Sequence, residues 1–251
     1  MAEGAAAAGP PVYPLAKTKP NAVFSFGRFQ PPTTGHTLLI DQVIAEAAKQ
    51  NADAIVFVSS TENKPTYLKS AKYMEMLESG KFESTKENEN PIPVATKVDA
   101  LQKQHAGKPV QFINTTLCNC KSIMQIIPVL KGNGYEGLTM MVGSDRVETF
   151  QALFDKYFEG IQVKGIERVA AAANARSMSG TKLRTAAVAG DFDIFAANVV
   201  MGSYTASEAK ELMNMIRAHL GYPAAGGGRR RPKRQTKKDK LKKSRRITIR
   251  K

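Results

Sequence analysis

Three stretches hold residue types and spacings that can do chemistry. The first is Gly27-Arg28-Phe29-Gln30-Pro31-Pro32-Thr33-Thr34-Gly35-His36, between a short apolar run and a helical pattern. Thr33 or Thr34 can cap the helix, and Gly35 allows close backbone approach. The unpaired amides and positive dipole end of a helix start attract phosphate, and His36 can aim an N–H at a phosphate oxygen. The second stretch is Arg176-Ser177-Met178-Ser179-Gly180-Thr181-Lys182-Leu183-Arg184. Ser179 and Thr181 sit at an expected helix start. Arg184 follows Thr181 by three residues on the same helix side, so hydroxyls, dipole and guanidinium can clamp a second phosphate. The third is Met141-Val142-Gly143-Ser144-Asp145-Arg146. Gly143 at a strand end lets a ligand ring approach the backbone, and Asp145 can accept from a ribose or base, or simply cap the next helix. The bland alternative for all three is capped turns with solvated side chains.

These residues need a frame, and the hydropathy pattern provides one. Apolar runs at 22–26, 54–58, 110–115 and 138–142 read as strands, with a fifth at 162–169. Leu39, Ile40, Val43, Ile44 and Ala47 repeat at helical spacing. Further helical patterns fall at 68–79, 94–105, 121–131 and 145–158, with closing helices at 180–190 and 205–219, the last capped by Ser207. Strand and helix in alternation predict an α/β domain, a parallel sheet covered on both faces in three layers. In that architecture ligands bind beyond the carboxyl ends of the strands, where all three stretches fall.

Composition limits the classes. Apolar residues are 42% and charged residues 24% of the 251, which excludes wholesale disorder, collagen and a disulfide scaffold. No apolar run approaches the roughly 18 residues of a membrane span. Cys118 and Cys120 form a lone C-x-C, implying neither a zinc site nor a disulfide framework; ordinary packing is expected for both. Charge is uneven. Of 37 Lys and Arg, 14 lie between Arg229 and Lys251 with Asp239 as the sole acid, so the net charge of +15 belongs mostly to this tail. The expected organisation is a flexible lead-in over 1–20, a folded domain over 21–222 and a Gly-hinged basic tail over 223–251, disordered when free. Without aromatics the tail offers no base stacking. Arg229, Arg230, Arg231, Lys233, Arg234, Lys237, Lys238, Lys242, Lys243, Arg245 and Arg246 would meet phosphates of a nucleic acid or another polyanion, with steep salt dependence. Nuclear targeting, an acidic membrane surface and a merely solubilising tail are the other readings. The lead-in lacks a secretory signal pattern, so a cytoplasmic, nuclear or virion-associated location is expected. His105 and His219 are expected at the surface. Met140, Met141, Met213 and Met215 are expected in packing.

The TxGH of Thr33 to His36 and the SGTxxR of Ser179 to Arg184 resemble the two signatures of the cytidylyltransferase-like nucleotidyltransferase superfamily. The opening from Phe24 to His36 is similar to its adenylyltransferase branch. The GRFQPPTxGH and MSGTKLR blocks, with Gly190-Asp191-Phe192 after them, are most similar to nucleotidyltransferase-like proteins of tailed phages and large DNA viruses. The resemblance covers about 21–200. It implies a Rossmann-like fold and transfer of a nucleotidyl group, more readily adenylyl than cytidylyl, from an NTP with Mg²⁺ to a phosphorylated small-molecule acceptor. ATP would be the substrate and pyrophosphate the other product. The catalytic set would be His36 on the nucleotide phosphates, Thr33 near the acceptor phosphate, and Arg184. Thr181 and Arg184 would hold the β- and γ-phosphates with help from Ser179. Gly143 and Asp145 would border base and ribose, with Gly27, Arg28, Phe29 and Gly35 completing the nucleotide site. Relatives often supply a lysine after the second strand; Lys64, Lys69 and Lys72 are available. With no Trp, ring stacking would fall to Phe29, Tyr67 or Phe150. The polar segment from about Ser79 to Pro93 reads as an insertion. A second reading is a nucleic-acid-associated or virion protein that keeps the fold as scaffold and works through its tail.

Overall fold

The computed structural model describes residues 13–63, 65–79, 82–166 and 179–225. The basic tail and Arg176 to Met178 lie outside these residues, as does Lys64.

Five strands form one parallel sheet: β1 (Asn21–Gly27), β2 (Ala52–Val58), β3 (Gln111–Asn114), β4 (Leu138–Gly143) and β5 (Ile161–Ile166). Their order across the sheet is β3-β2-β1-β4-β5. β2 is buried along almost its whole length, as a central strand covered on both faces must be. Its side chains alternate. Ile55 and Phe57 join Phe24, Ile126, Ile127 and Phe154 on one face, while Val56 and Val58 join Ile40 and Leu101 on the other. Helices α4 (Ile123–Gly132) and α5 (Val147–Tyr157) cover the first face. Helices α1 (Thr34–Lys49) and α3 (Val94–Gln104) cover the second. This is the expected three-layer, Rossmann-like α/β fold.

The chain winds from β1 outward to β3, then crosses back to β4 on the other side of β1. The reversal leaves a crevice between the carboxyl ends of β1 and β4, the usual ligand position in open α/β sheets. The β1–β4 ladder pairs Ala22 to Phe24 with Leu138 to Met140, and the Ser25 hydroxyl then donates to the Met141 carbonyl at 2.9 Å.

A second core lies outside the sheet. Helices α6 (Gly180–Ala189), α7 (Phe192–Val199) and α8 (Ala206–His219) pack Leu183, Phe195, Leu212 and Ile216 together with Tyr73 from α2 (Ala71–Ser79). The single closing helix read at 180–190 is followed directly by α7, because Gly190 ends α6 in a left-handed turn (φ 80°) and Asp191 caps α7. The cap of α8 is Thr205, paired with Glu208 in a capping box; Ser207 lies inside the helix.

Several local expectations are corrected. Residues 13–20 are tied down: Asn133 accepts from the Leu15 amide, and buried Asp53 accepts from the Thr18 amide and hydroxyl. His105 is buried beside Phe112 as the C-cap of α3, and burial lowers its pKa. His219 is half-buried on α8. Met215 is exposed, unlike Met140, Met141 and Met213. Cys118 and Cys120 are joined by a disulfide; the turn after β3 brings their Cα atoms to 5.2 Å with Asn119 left-handed at φ 50°.

Candidate active site at the β1–β4 crevice

The β1–α1 loop is built around one buried ring. Phe29 adopts φ 50°, unusual for a bulky residue, and its side chain is 1% exposed among Ile40, Val56, Val58 and Leu101. Gly27 has to be glycine, since a Cβ there would lie 2.8 Å from the Phe29 ring. Phe29 is therefore core, and its ring is not available to stack on a ligand. It does pack on His36, with ring centroids 4.9 Å apart.

Thr33 is the N-cap of α1, and His36 is the third helical residue. Thr34 instead turns its hydroxyl to Asn198 Oδ1 of α7, which settles which threonine caps. The Thr33 backbone N–H donates to His36 Nδ1 at 3.1 Å, and the Thr33 hydroxyl lies 3.0 Å from the same nitrogen. A ring nitrogen that accepts a backbone N–H carries no proton, so a neutral His36 holds its proton on Nε2. The loop thus fixes ring position and tautomer together. Gly35 occupies the first turn of α1 between the cap and the histidine. Thr33 is 1% exposed, with its hydroxyl against the His36 ring.

The second signature meets the first directly. Ser179 caps α6 by accepting from the Lys182 amide at 3.2 Å. A Cβ on Gly180 would lie 2.6 Å from the Gln30 carbonyl oxygen, so the glycine lets α6 touch the β1–α1 loop. Arg184 is 4% exposed. Its NH1 donates to the Gln30 carbonyl at 2.6 Å, and its NH2 donates to Ser84 Oγ at 2.6 Å and Thr181 Oγ1 at 3.3 Å. Only Nε lacks a partner. Burial lowers its pKa to about 10, with Glu89 opposing that shift and Arg28 adding to it. The Arg184 guanidinium expected on phosphates instead bonds protein groups and joins two segments, while the exposed end of α6 carries Ser179 and Thr181.

The polar segment before α3 belongs to the same junction. Gln30 Nε2 donates to the Ile92 carbonyl at 2.8 Å, and its Oε1 accepts from the Ile92 amide at 2.9 Å. Glu89 pairs with Arg28 at 2.5 Å. Asn88 and Asn90 are buried, so the polar segment 82–93 is a packed strap across the loop.

Gly143 and Asp145 follow β4 as expected, across the crevice from the loop. The Asp145 carboxylate is exposed, and a Cβ on Gly143 would lie 2.5 Å from its Oδ1. Lys69 and Lys72 are exposed on the chain before and within α2. Phe150 is half-buried against the α4–α5 core, and the Tyr67 side chain lies outside the described set.

One buried residue gave no functional signal in the sequence. Lys97, in the first turn of α3, is 0% exposed. Its ammonium donates to the Ser59 carbonyl at 2.6 Å and the Arg28 carbonyl at 3.0 Å. The trace in the sequence is its spacing: Lys97, Ala100, Leu101 and Gln104 form one buried helix face, and a lysine on that face is out of place.

Two strand ends meet at a topological switch point, with a tautomer-fixed histidine on one, in an arrangement where open α/β sheets hold their ligands. The chain belongs to the cytidylyltransferase-like family, whose pattern matches residues 24–186, and so to a class of nucleotidyltransferases. Among solved structures it is similar to a Vibrio parahaemolyticus protein described as a nicotinate-nucleotide adenylyltransferase. That likeness is at 15% identity and a TM-score of 0.45, over 77% of this chain and 99% of the other. No curated protein matches the sequence. Among the described residues no helix is long and apolar enough to cross a membrane, and no three His, Cys, Asp or Glu side chains group as metal ligands.

Proposed function

We propose that the protein transfers a nucleotidyl group, AMP in preference to CMP, from an NTP to a phosphorylated small molecule. The observation that carries this is His36 at the start of α1 with Nδ1 accepting from Thr33, which leaves the proton of the neutral ring on Nε2. An oxygen of the acceptor phosphate attacks the α-phosphorus, a new P–O bond forms, the α–β bridging P–O bond breaks, and pyrophosphate leaves. No side chain needs to form a bond to the substrate. His36 Nε2–H donates to α-phosphate oxygens as charge builds on them, where a preorganised donor is worth most. The N-terminus of α6, with Ser179 and Thr181, receives the β- and γ-phosphates. Arg184 keeps that helix end against the Gln30 carbonyl. Gly143 and Asp145 border base and ribose. Arg28 joins the phosphates when it leaves Glu89. Mg²⁺ arrives as the counter-ion of the NTP, since ions of this kind keep phosphate and water ligands.

The test is pyrophosphate release with Mg²⁺, crossing ATP and CTP with nicotinamide mononucleotide, phosphopantetheine, phosphocholine and glycerol 3-phosphate. ATP-dependent release with one acceptor is expected. Release with CTP alone would replace the adenylyl assignment.

The tail favours a second role alongside the first. Its 14 basic residues against one acid suit a phosphate polymer, and a nucleic-acid or virion association remains compatible with the enzyme reading.

A further inference from the structure

Lys97 is costly where it stands. Burial of an ammonium is unfavourable, and a cation in the first turn of a helix opposes the helix dipole. The charged groups facing it are Glu62, which favours the ammonium, and Arg28, which opposes it. Among the described residues no carboxylate bonds it, and both of its hydrogen-bond partners are backbone carbonyls. Those carbonyls lie just past the ends of β1 and β2, so Lys97 ties two adjacent strand ends to α3.

One of the two carbonyls matters for the site. Arg28 C=O belongs to the peptide that enters Phe29, the residue held at φ 50°. The peptide leaving towards Pro31 is held on the other side, through the Gln30 carbonyl and Arg184 NH1. Phe29 thus sits between two carbonyls, each fixed by a buried cation. Leu101, one turn along α3 from Lys97, also packs in the Phe29 cluster. The Phe29 ring in turn lies against the His36 ring. A short mechanical path therefore runs from Lys97 to the Arg28 carbonyl, to the Phe29 ring, to the His36 imidazole.

We propose that Lys97 is a positioning residue for the nucleotidyl-transfer site, setting the placement of His36 through the Arg28 carbonyl and the Phe29 ring. This rests on the proposed function for its kinetic consequence, but the placement of His36 can be read without activity. Burial, which brings the Lys97 pKa down to about 8, is consistent with a side chain kept in an apolar site for its geometry.

The experiment is Lys97→Met in the full chain, read by NMR of the histidine ring protons. The protein has three histidines, so His36 is assigned by its loss in His36→Ala. His105, at the end of α3, reports whether that helix is intact. The proposal expects the His36 signals to shift or broaden while those of His105 and His219 stay in place. In the kinetic arm, kcat falls about 10- to 100-fold, the scale of a displaced catalytic group, with KM for the NTP within about threefold. Unchanged His36 signals in a folded Lys97→Met protein would overturn the proposal, as would a raised KM with unchanged kcat. If Lys97→Met does not fold, Lys97→Gln carries the same test: an amide too short to span both carbonyls should displace His36, and an undisturbed His36 refutes the role. A wild-type protein that turns over no NTP would sink the proposed function and leave the NMR arm standing. An active wild type with His36 indifferent to Lys97 would sink this proposal alone.

Discussion

At the scale of single residues, the site is a set of side chains whose partners are mostly backbone. Thr33 gives its amide to His36, Arg184 and Lys97 take carbonyls, and Gln30 clasps Ile92 from both sides. Lys97 links this geometry to pH. Its pKa falls from 10.5 to about 8 on folding, so between those values the unfolded chain binds more protons. Stability from this group therefore rises as pH passes from about 8 towards 10.5, and below that window the buried charge is a fixed cost. Urea denaturation at pH 7.5 and 9.5 should show wild type gaining on Lys97→Met by on the order of 2 kcal/mol, the equivalent of the one to two pKa units traversed. An equal response of the two proteins would mean that Lys97 titrates normally. The types at Thr33, His36, Ser179 and Thr181 were legible in the sequence because caps and helix-start histidines have local signals. Lys97, Gln30 and Ser84 were not, because their roles depend on carbonyls and hydroxyls far away in sequence. Phe29 was misread for the same reason: nothing local distinguishes an aromatic held in the core from one offered to a ligand.

At the scale of elements, all five strands and most helices followed from apolar runs and helical spacing. What escaped was punctuation. The pattern at 180–190 matches α6 but leaves out α7, which Asp191 caps directly after Gly190, and Thr205 caps α8 two residues before Ser207. Hydropathy is blind to such boundaries, which are set by single backbone conformations. The strap over 82–93 escaped because its buried asparagines are held by backbone: Asn88 bonds the Glu83 carbonyl and the Thr85 amide, and the Asn90 amide donates to Asn63, giving a polar sequence to a packed segment. The contact of α6 with the β1–α1 loop gives a prediction at this scale. Gly180→Ala places a Cβ 2.6 Å from the Gln30 carbonyl oxygen, a rigid atom that Arg184 also holds. Helix and loop must separate. The variant should lose roughly 1–3 kcal/mol in thermal or urea unfolding, although alanine is the better helix former. A stabilised variant would show that the contact yields freely.

At the scale of the whole molecule, the protein joins a nearly neutral body to a tail that holds most of the net charge. If about eight tail charges meet phosphates, affinity for duplex DNA should fall at least 1,000-fold between 50 and 200 mM salt, and removal of residues 229–251 should abolish it. Equal binding by the shortened chain would place the interface on the body. The body itself is a doubly wound sheet whose switch point brings the two signatures together, and the claim at its centre is that His36 stabilises a transferring nucleotidyl group. The most direct measurement is pyrophosphate release by wild type and His36→Ala with the same Mg-NTP and acceptor. The expected result is a kcat lower by roughly 100-fold or more in the variant, the cost of losing a main oxyanion donor. Turnover by His36→Ala equal to wild type would contradict the account.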